Sequence, residues 1–262
     1  MNPHLYATEA VVLERRDFGE ADRLLTLYTP VRGKVRAIAR GSRRTTSRLA
    51  GHVELFTHTR VLLASGRNLD IVTQCELLRG YERLREDLWR LALGYHVVEL
   101  VNRFSEERLE NYDVWQALLE VLDQLDADDF RGCLSPELSV RLFELRLLNA
   151  LGYRPQLRVC TGCGSALEPI ENYFAAAVGG LLCPPCAEGQ PALVPVAVET
   201  VKVLRVLQDG NHALAGRLRL PPETLPEMER VLRRHIIHVL EHDLHTTHLL
   251  DELRAQPARG GR

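Results

Sequence analysis

The spacing of apolar residues changes near residue 80. From Leu5 to about Leu78 the apolar positions fall in short runs broken by turn residues. Leu5 to Arg16 alternates loosely around the β-branched Thr8, Val11 and Val12, and Asp22 to Thr29 carries Leu24, Leu25, Leu27 and Tyr28. Such runs predict strands. Thr29-Pro30-Val31-Arg32-Gly33 is a turn, since proline fixes φ and glycine accepts a positive one. The next strand, Lys34 to Arg40, places Lys34, Arg36 and Ile38 on one face and Val35, Ala37 and Ala39 on the other. Two more strands, near Val53 to Ala64 and Leu69 to Gln74, are joined by a hairpin loop at Ser65-Gly66-Arg67-Asn68. Five short strands over this length suit a small Greek-key barrel of the OB type.

Past Gly80 the period becomes helical. Tyr81 to Phe104 sets Leu84, Leu88, Leu91, Tyr95, Val98 and Val101 three and four apart, and Val114 to Leu125 repeats the pattern with Leu118, Leu119 and Leu122. Ser135 is a good N-cap and Pro136 a good first helical residue, for a helix that runs to Leu151 and stops at Gly152. Arg158 to Pro195 interrupts this grammar. Helical spacing resumes over Val196 to Leu207 and Thr224 to Leu253, ahead of a polar tail from Pro257. The expected architecture is α+β and multidomain: an OB-fold barrel over 1–80, a helical domain over 81–157 and 196–262, and a cysteine module over 158–195 inserted between its two parts.

Charge refines this division. The chain's 33 basic and 35 acidic residues give a net charge of -2, which argues against a uniformly cationic protein. Residues 1–80, however, hold 13 Lys/Arg against 8 Asp/Glu, and the remainder holds 20 against 27. A nucleic-acid surface is therefore expected in the N-terminal part. The longest charge-free run, Asn172 to Ala187, is shorter than the roughly 20 apolar residues of a membrane span. The N-terminus lacks the basic-then-apolar run of a secretory signal, so a cytoplasmic, nucleoid-associated protein is expected, with its six cysteines as thiols or metal ligands.

Cys160-Thr161-Gly162-Cys163 and Cys183-Pro184-Pro185-Cys186 form a C-x2-C-x19-C-x2-C pattern. Two tight turns that each present a thiolate pair complete a tetrahedron around one structural Zn2+. Val159 to Val201 contains no Lys or Arg and four glutamates, at 168, 171, 188 and 199. An acidic finger is a poor phosphate ligand, which favours a folding staple over a DNA reader.

Arg32, Lys34, Arg36, Arg40, Arg43, Arg44 and Arg48 fall within 17 residues that contain no acid, interleaved with glycine, serine and threonine. Guanidinium groups and hydroxyls on an OB barrel suit phosphate contacts, although an isolated basic run is often only a solvated loop. Tyr6, Phe18, Tyr28 and Phe56 are aromatic candidates for base stacking, each of which also fits a core position.

These residues carry a resemblance. Thr8-Glu9-Ala10-Val11-Val12-Leu13, Gly19-Glu20-Ala21-Asp22-Arg23, Thr26-Leu27-Tyr28-Thr29-Pro30, Gly33-Lys34 and Ala39-Arg40-Gly41-Ser42-Arg43-Arg44 resemble the N-terminal signature of the bacterial RecO family of recombination mediators. The likeness continues through Leu148-Asn149-Ala150-Leu151-Gly152-Tyr153-Arg154-Pro155 and the cysteine pairs, and is general beyond Val196. It implies an N-terminal OB-fold, a helical C-terminal domain and an inserted zinc module. It also implies binding of single- and double-stranded DNA, annealing of complementary strands, and cooperation with RecR to load RecA onto DNA coated by single-stranded-DNA-binding protein. Lys34, Arg36, Arg40, Arg43, Arg44 and Arg48 match the family's basic stretch. Some members lack the cysteines, so a need for zinc in the shared activity is not implied.

An enzyme reading rests on His52-Val53-Glu54 and Cys183-x-x-Cys186, the outline of a zinc deaminase. It fails in detail, because Leu182 replaces the expected proline and Cys160 with Cys163 would fill the open coordination position. There is no phosphate-binding G-x-x-x-x-G-K-[ST] loop. His235, His238, His242, His245 and His248 recur at helical spacing as a weaker metal candidate. An acidic, apolar-ended partner tail would need an arginine beside an apolar groove, and Arg83, Arg85, Arg90, Arg141 and Arg146 are equally eligible.

Overall fold

The structure, a computed structural model, describes residues 4–45, 47, 49, 51–128, 134–210 and 219–255. Its contacts gather into two compact units, Met1–Asp126 with Thr246–Arg262, and Ala127–His245. None of the described helices is long and apolar enough to cross a membrane.

The first unit opens with β1 (Leu5–Phe18), β2 (Asp22–Thr29), β3 (Gly33–Ala39), β4 (His58–Ala64) and β5 (Asp70–Arg79). They close a barrel in the order β1-β2-β3-β5-β4, the OB arrangement expected from the alternation. Val35, Ala37 and Ala39 point inward with Val12, Leu25, Leu27 and Leu63. Each Val or Leu so buried contributes about 1.5–3 kcal/mol. The expected fourth strand starts late. Phe56 adopts φ 67 and turns the chain, so pairing begins at His58. A left-handed non-glycine costs roughly 1–3 kcal/mol. Burial of the ring to 1% exposure and its edge-on packing at 5.4 Å from Tyr95 are of the size needed to offset it.

The parallel seam that closes the barrel is short. Ala37 faces Asp70 and Ile38 faces Ile71. Asp70 is fully buried and accepts hydrogen bonds from Tyr6 Oη at 2.5 Å, Gly66 N at 3.0 Å and Arg108 Nη2 at 2.9 Å. Burial alone would raise its pKa, but these donors and the Arg108 charge outweigh it and hold the carboxyl below its ordinary value.

The long period after residue 80 divides into α1 (Glu82–Glu86) and α2 (Leu88–Phe104). Asp87 leaves the helical region and caps α2 by accepting from Arg90 N at 2.8 Å. Asn111 caps α3 (Tyr112–Leu125) in the same way. Between α2 and α3 the backbone crosses the start of β3, where Arg108 N donates to Lys34 O at 2.9 Å. Gly33, at φ +55, permits that crossing: a Cβ there would lie 1.8 Å from Leu109 O. The last described helix, His245–Ala255, joins this unit through Glu99, whose Oε2 accepts from Thr246 N and Oγ1 at 2.9 and 2.6 Å.

The second unit begins with α4 (Pro136–Ala150), whose predicted cap is present: Ser135 Oγ accepts from Leu138 N at 3.3 Å. A sheet in the order β7-β6-β8 follows, from β6 (Asn172–Ala175), β7 (Gly180–Leu182) and β8 (Val194–Val196). The short α5 (Pro184–Ala187) carries Cys186 and has Cys183 at its N-cap, and α6 (Val198–Gln208) and α7 (Thr224–Leu240) both pack on α4. The helix expected to continue from Thr224 to Leu253 is two helices, because Glu241 takes φ 57 and ends α7. The tail from Pro257 lies outside the described residues.

Replacing Asp70 by Asn is expected to cost about 2 kcal/mol at pH 7, since it loses a charged acceptor from a buried network. A depressed pKa makes the carboxylate's contribution complete above the unfolded value of about 3.9 and lost as pH falls through the lower folded value. Urea unfolding of both proteins from pH 7 to pH 3 should therefore show their difference shrinking below about pH 4.

Candidate nucleic-acid interface and cysteine cluster

Alternation and register assign side chains to the outward face of β1, β2 and β3. A bulge between Val12 and Glu14 resets β1, after which Glu14 pairs with Thr26, Arg16 with Leu24 and Phe18 with Asp22. On the next strand Thr26 pairs with Arg36 and Leu24 with Ile38. Leu25 and Leu27 face the core, so these even-numbered residues face out. A groove of about 270 Å³ lies on this face, lined by Arg16, Leu24, Thr26, Lys34, Arg36 and Glu107 among others. Arg16 has a side chain 74% exposed, with its Nε donating to Glu14 Oε1 at 2.6 Å. The sequence reading missed it, because it stands next to Glu14 and Asp17 rather than in the acid-free run.

The six predicted cations differ in their surroundings. Lys34 is half-buried, donates from Nζ to Asn102 O at 2.7 Å, and has its pKa lowered by burial against opposing help from Glu107. Arg36 is exposed and lies 3.8 Å from Glu107. Arg43 ties the basic loop to the β1–β2 turn: its backbone N donates to Ala21 O at 2.9 Å, Nη1 to Gly19 O at 3.2 Å, and Nε lies 3.4 Å from Asp17. Arg40 and Arg44 are exposed and make no ion pair with a described residue. Arg48 lies outside the described residues. The face is thus cationic but graded, partly neutralised by Glu14 and Glu107 and open near Arg40.

Tyr28 and Phe56 are each only 1% exposed, Tyr6 donates to Asp70, and Arg32 sits 4.0 Å over the Tyr6 ring. Phe18 is 50% exposed.

In the second unit Cys160, Cys163, Cys183 and Cys186 come together with their sulfurs all within 4.8 Å of one another. Cys163 and Cys183 Sγ are 3.9 Å apart, close to the roughly 3.8 Å edge of a tetrahedron with 2.3 Å metal–sulfur bonds. Gly162 N and Cys183 N donate to Cys160 Sγ at 3.4 and 3.3 Å. Gly162 eases this approach, since a Cβ would lie 3.0 Å from Cys186 Cβ and 3.1 Å from its Sγ, a tight contact. Burial raises the Cys160 thiol, but backbone donors outweigh it and bring its pKa to about 6, whereas neighbouring thiols push Cys186 up to about 12. Without a cation the four sulfurs resist ionising together; a divalent metal removes that conflict. The donor set and spacing can hold a metal ion.

The histidine series forms no metal cluster among the described residues. His235 is buried on α7 with Nε2 2.8 Å from Tyr153 O, and His242 lies past the helix end. His52 Nδ1 accepts from Leu77 N at 3.1 Å, a structural use within the barrel.

A closed OB barrel with a cationic outer face, followed by helices and a four-cysteine cluster able to hold a metal ion, defines an OB-barrel protein with a cysteine module. Comparison with known sequences makes this specific. The family model for Recombination protein O N terminal matches residues 1–81, and that for Recombination protein O C terminal matches residues 85–248. The chain is 45% identical over 254 residues to DNA repair protein RecO of Roseiflexus sp. (strain RS-1), covering 97% of this chain and 88% of that one. It is 37% identical over 252 residues to DNA repair protein RecO of Dehalococcoides mccartyi, with 96% and 97% covered, and 36% identical over 255 residues to that of Symbiobacterium thermophilum, with 96% and 98% covered. The chain belongs to the RecO family, and its role lies in DNA repair and recombination.

Removal of bound metal with a strong chelator at pH 7 is expected to lower the thermal midpoint by several degrees, because the cysteine module lacks a core large enough to hold its turns alone. Calorimetry before and after metal is restored checks this; an unchanged midpoint would deny the cluster a stabilising role.

Proposed function

We propose that this protein is a non-enzymatic recombination mediator that binds single- and double-stranded DNA on the outward face of β1, β2 and β3. In this reading it anneals complementary strands and, with RecR, helps load RecA onto DNA coated by single-stranded-DNA-binding protein. The supporting observation is a closed OB barrel whose outward face carries Arg16 and Arg36 beside a groove, with exposed Arg40 and Arg44 in the turn and loop that follow β3. Guanidinium groups contact phosphates of any sequence, which is what strand pairing without base preference requires. Arg43 positions the loop, Lys34 borders the groove, and Arg48 is retained from the sequence pattern.

The cysteine cluster holds one structural Zn2+ in this reading. Four sulfur ligands leave no place for water or substrate, and the acidic surroundings disfavour phosphate. Both points count against a zinc-dependent nucleic-acid-modifying enzyme.

The second unit also has an apolar groove of about 410 Å³ between Ala175, Leu182, Pro191 and Ile237, with Arg234 at its edge. That pairing suits the acidic, apolar-ended tail of single-stranded-DNA-binding protein. Of the arginines eligible by sequence, Arg85 donates to Leu55 O at 2.5 Å, Arg90 to Leu125 O at 3.3 Å, and Arg141 is buried 3.1 Å from Glu144. Arg234 joins the eligible arginines as the one that lines this groove.

Salt titration tests the DNA surface. About five phosphate contacts on a single strand give a log–log slope near ~-3.5, and the double variant Arg40→Ala/Arg44→Ala should lower affinity for all sequences alike and flatten the slope by about 1.4. An unaltered slope would move the surface elsewhere. For the groove, Arg234→Glu should weaken binding of a fluorescent acidic tail peptide by about tenfold or more, through a reversed charge contact; equal affinity would reject the site.

A further inference from the structure

We infer that Phe18 is a base-stacking residue that favours unpaired over paired DNA; the inference rests on the DNA-binding reading of the outward barrel face. An isolated exposed phenyl ring is ordinary on a protein surface. This one is set apart by where the fold holds it.

The bulge in β1 places Phe18 on the same outward face as Arg16, one pleat further toward the turn. Phe18 pairs with Asp22 on β2, and Arg23 pairs with Ala39, the last residue of β3. Arg40 follows in the turn that leaves β3, and hydrogen bonds hold this turn beside Asp22. Gly41 N donates to Asp22 Oδ1 at 2.8 Å, and Arg43 reaches Ala21 O and Gly19 O on the other side of the turn. Asp17, beside Phe18, is engaged by Arg23 at 3.5 Å and Arg43 at 3.4 Å.

Phe18 is thus half exposed at the turn end of the cationic face. An aromatic ring flanked by phosphate-binding arginines is the arrangement that holds a single strand, because the charges take the backbone while the ring takes a base. A base inside a duplex is already stacked above and below, so the ring has nothing to offer it without unstacking. The other aromatic candidates are excluded by their contacts: Tyr28 and Phe56 are buried, and Tyr6 is held between Asp70 and Arg32.

The test uses the full-length protein, a fluorescent oligo-dT, the same strand with abasic sites, and a hairpin duplex. Phe18→Ala should weaken oligo-dT binding by about tenfold, the size of one lost base–aromatic contact. It should leave the duplex and abasic affinities within about twofold and the salt slope unaltered, since no phosphate contact is removed. Phe18→Trp should restore oligo-dT affinity. Equal loss on all three ligands, or no loss on oligo-dT, would overturn the inference. If Arg40→Ala/Arg44→Ala loses DNA affinity while Phe18→Ala does not, the DNA-binding reading stands and only the stacking role falls. If the unaltered protein binds no single strand, both fall.

Discussion

Two residue pairs of parallel pairing, Ala37 with Asp70 and Ile38 with Ile71, close the barrel, and the placement of the functional surface follows from them. A slip of one residue along β3 would exchange its faces, sending Val35 and Ala37 to solvent and Arg36 into the core. The buried Asp70 carboxylate secures that register. It draws together Tyr6 from β1, Gly66 from the β4–β5 turn and Arg108 from the α2–α3 connection. A charge at this depth is tolerated because each donor arrives from a segment the closed barrel has already placed, and the same donors then resist opening of the seam.

The closed register gives the cationic face its gradient. At the Lys34 end the α2–α3 connection brings Glu107 against Arg36 and withdraws Lys34 toward Asn102. At the Arg40 end the loop is tied down by backbone donors and the Arg43 side chain, leaving Arg40 and Arg44 without a described ion-pair partner. Under the proposed function, a small set of open cations suits release of strands once they pair, since contacts of this kind are individually weak and exchange readily with salt. The four-cysteine module solves a different problem. Its small apolar cluster is built on Ala175, Leu182 and Ala187, and four thiols placed where they can hold a metal ion offer the cross-links that so small a core calls for.

Much of this was legible in the chain. The alternation of Lys34 to Ala39 identified the inner and outer faces of β3, Ser135-Pro136 identified the start of α4, and the two C-x2-C pairs identified the residues that converge on one point. Elements stopped by a single backbone conformation were not legible. Phe56 and Glu241 adopt positive φ, and no residue-type signal marks either as a breaker. The break at Asp87 carries a weak signal, an aspartate ahead of an apolar run, that the continuous helical spacing hides. Contacts distant in sequence were equally invisible: Glu107 and Asn102 decide how Arg36 and Lys34 are presented, yet they lie on the helical side of the period change. Arg16 was overlooked because charge counting along the chain favours acid-free runs, whereas a pleated sheet sorts neighbours to opposite faces.

Hydrogen exchange on the full-length protein, with and without a saturating single strand, tests the central claim most directly. The account predicts added protection over residues 14–26 and 34–45, with exchange unaltered over the cysteine module at 158–195. Protection centred on the cysteine module, with the barrel face unaffected, would contradict it.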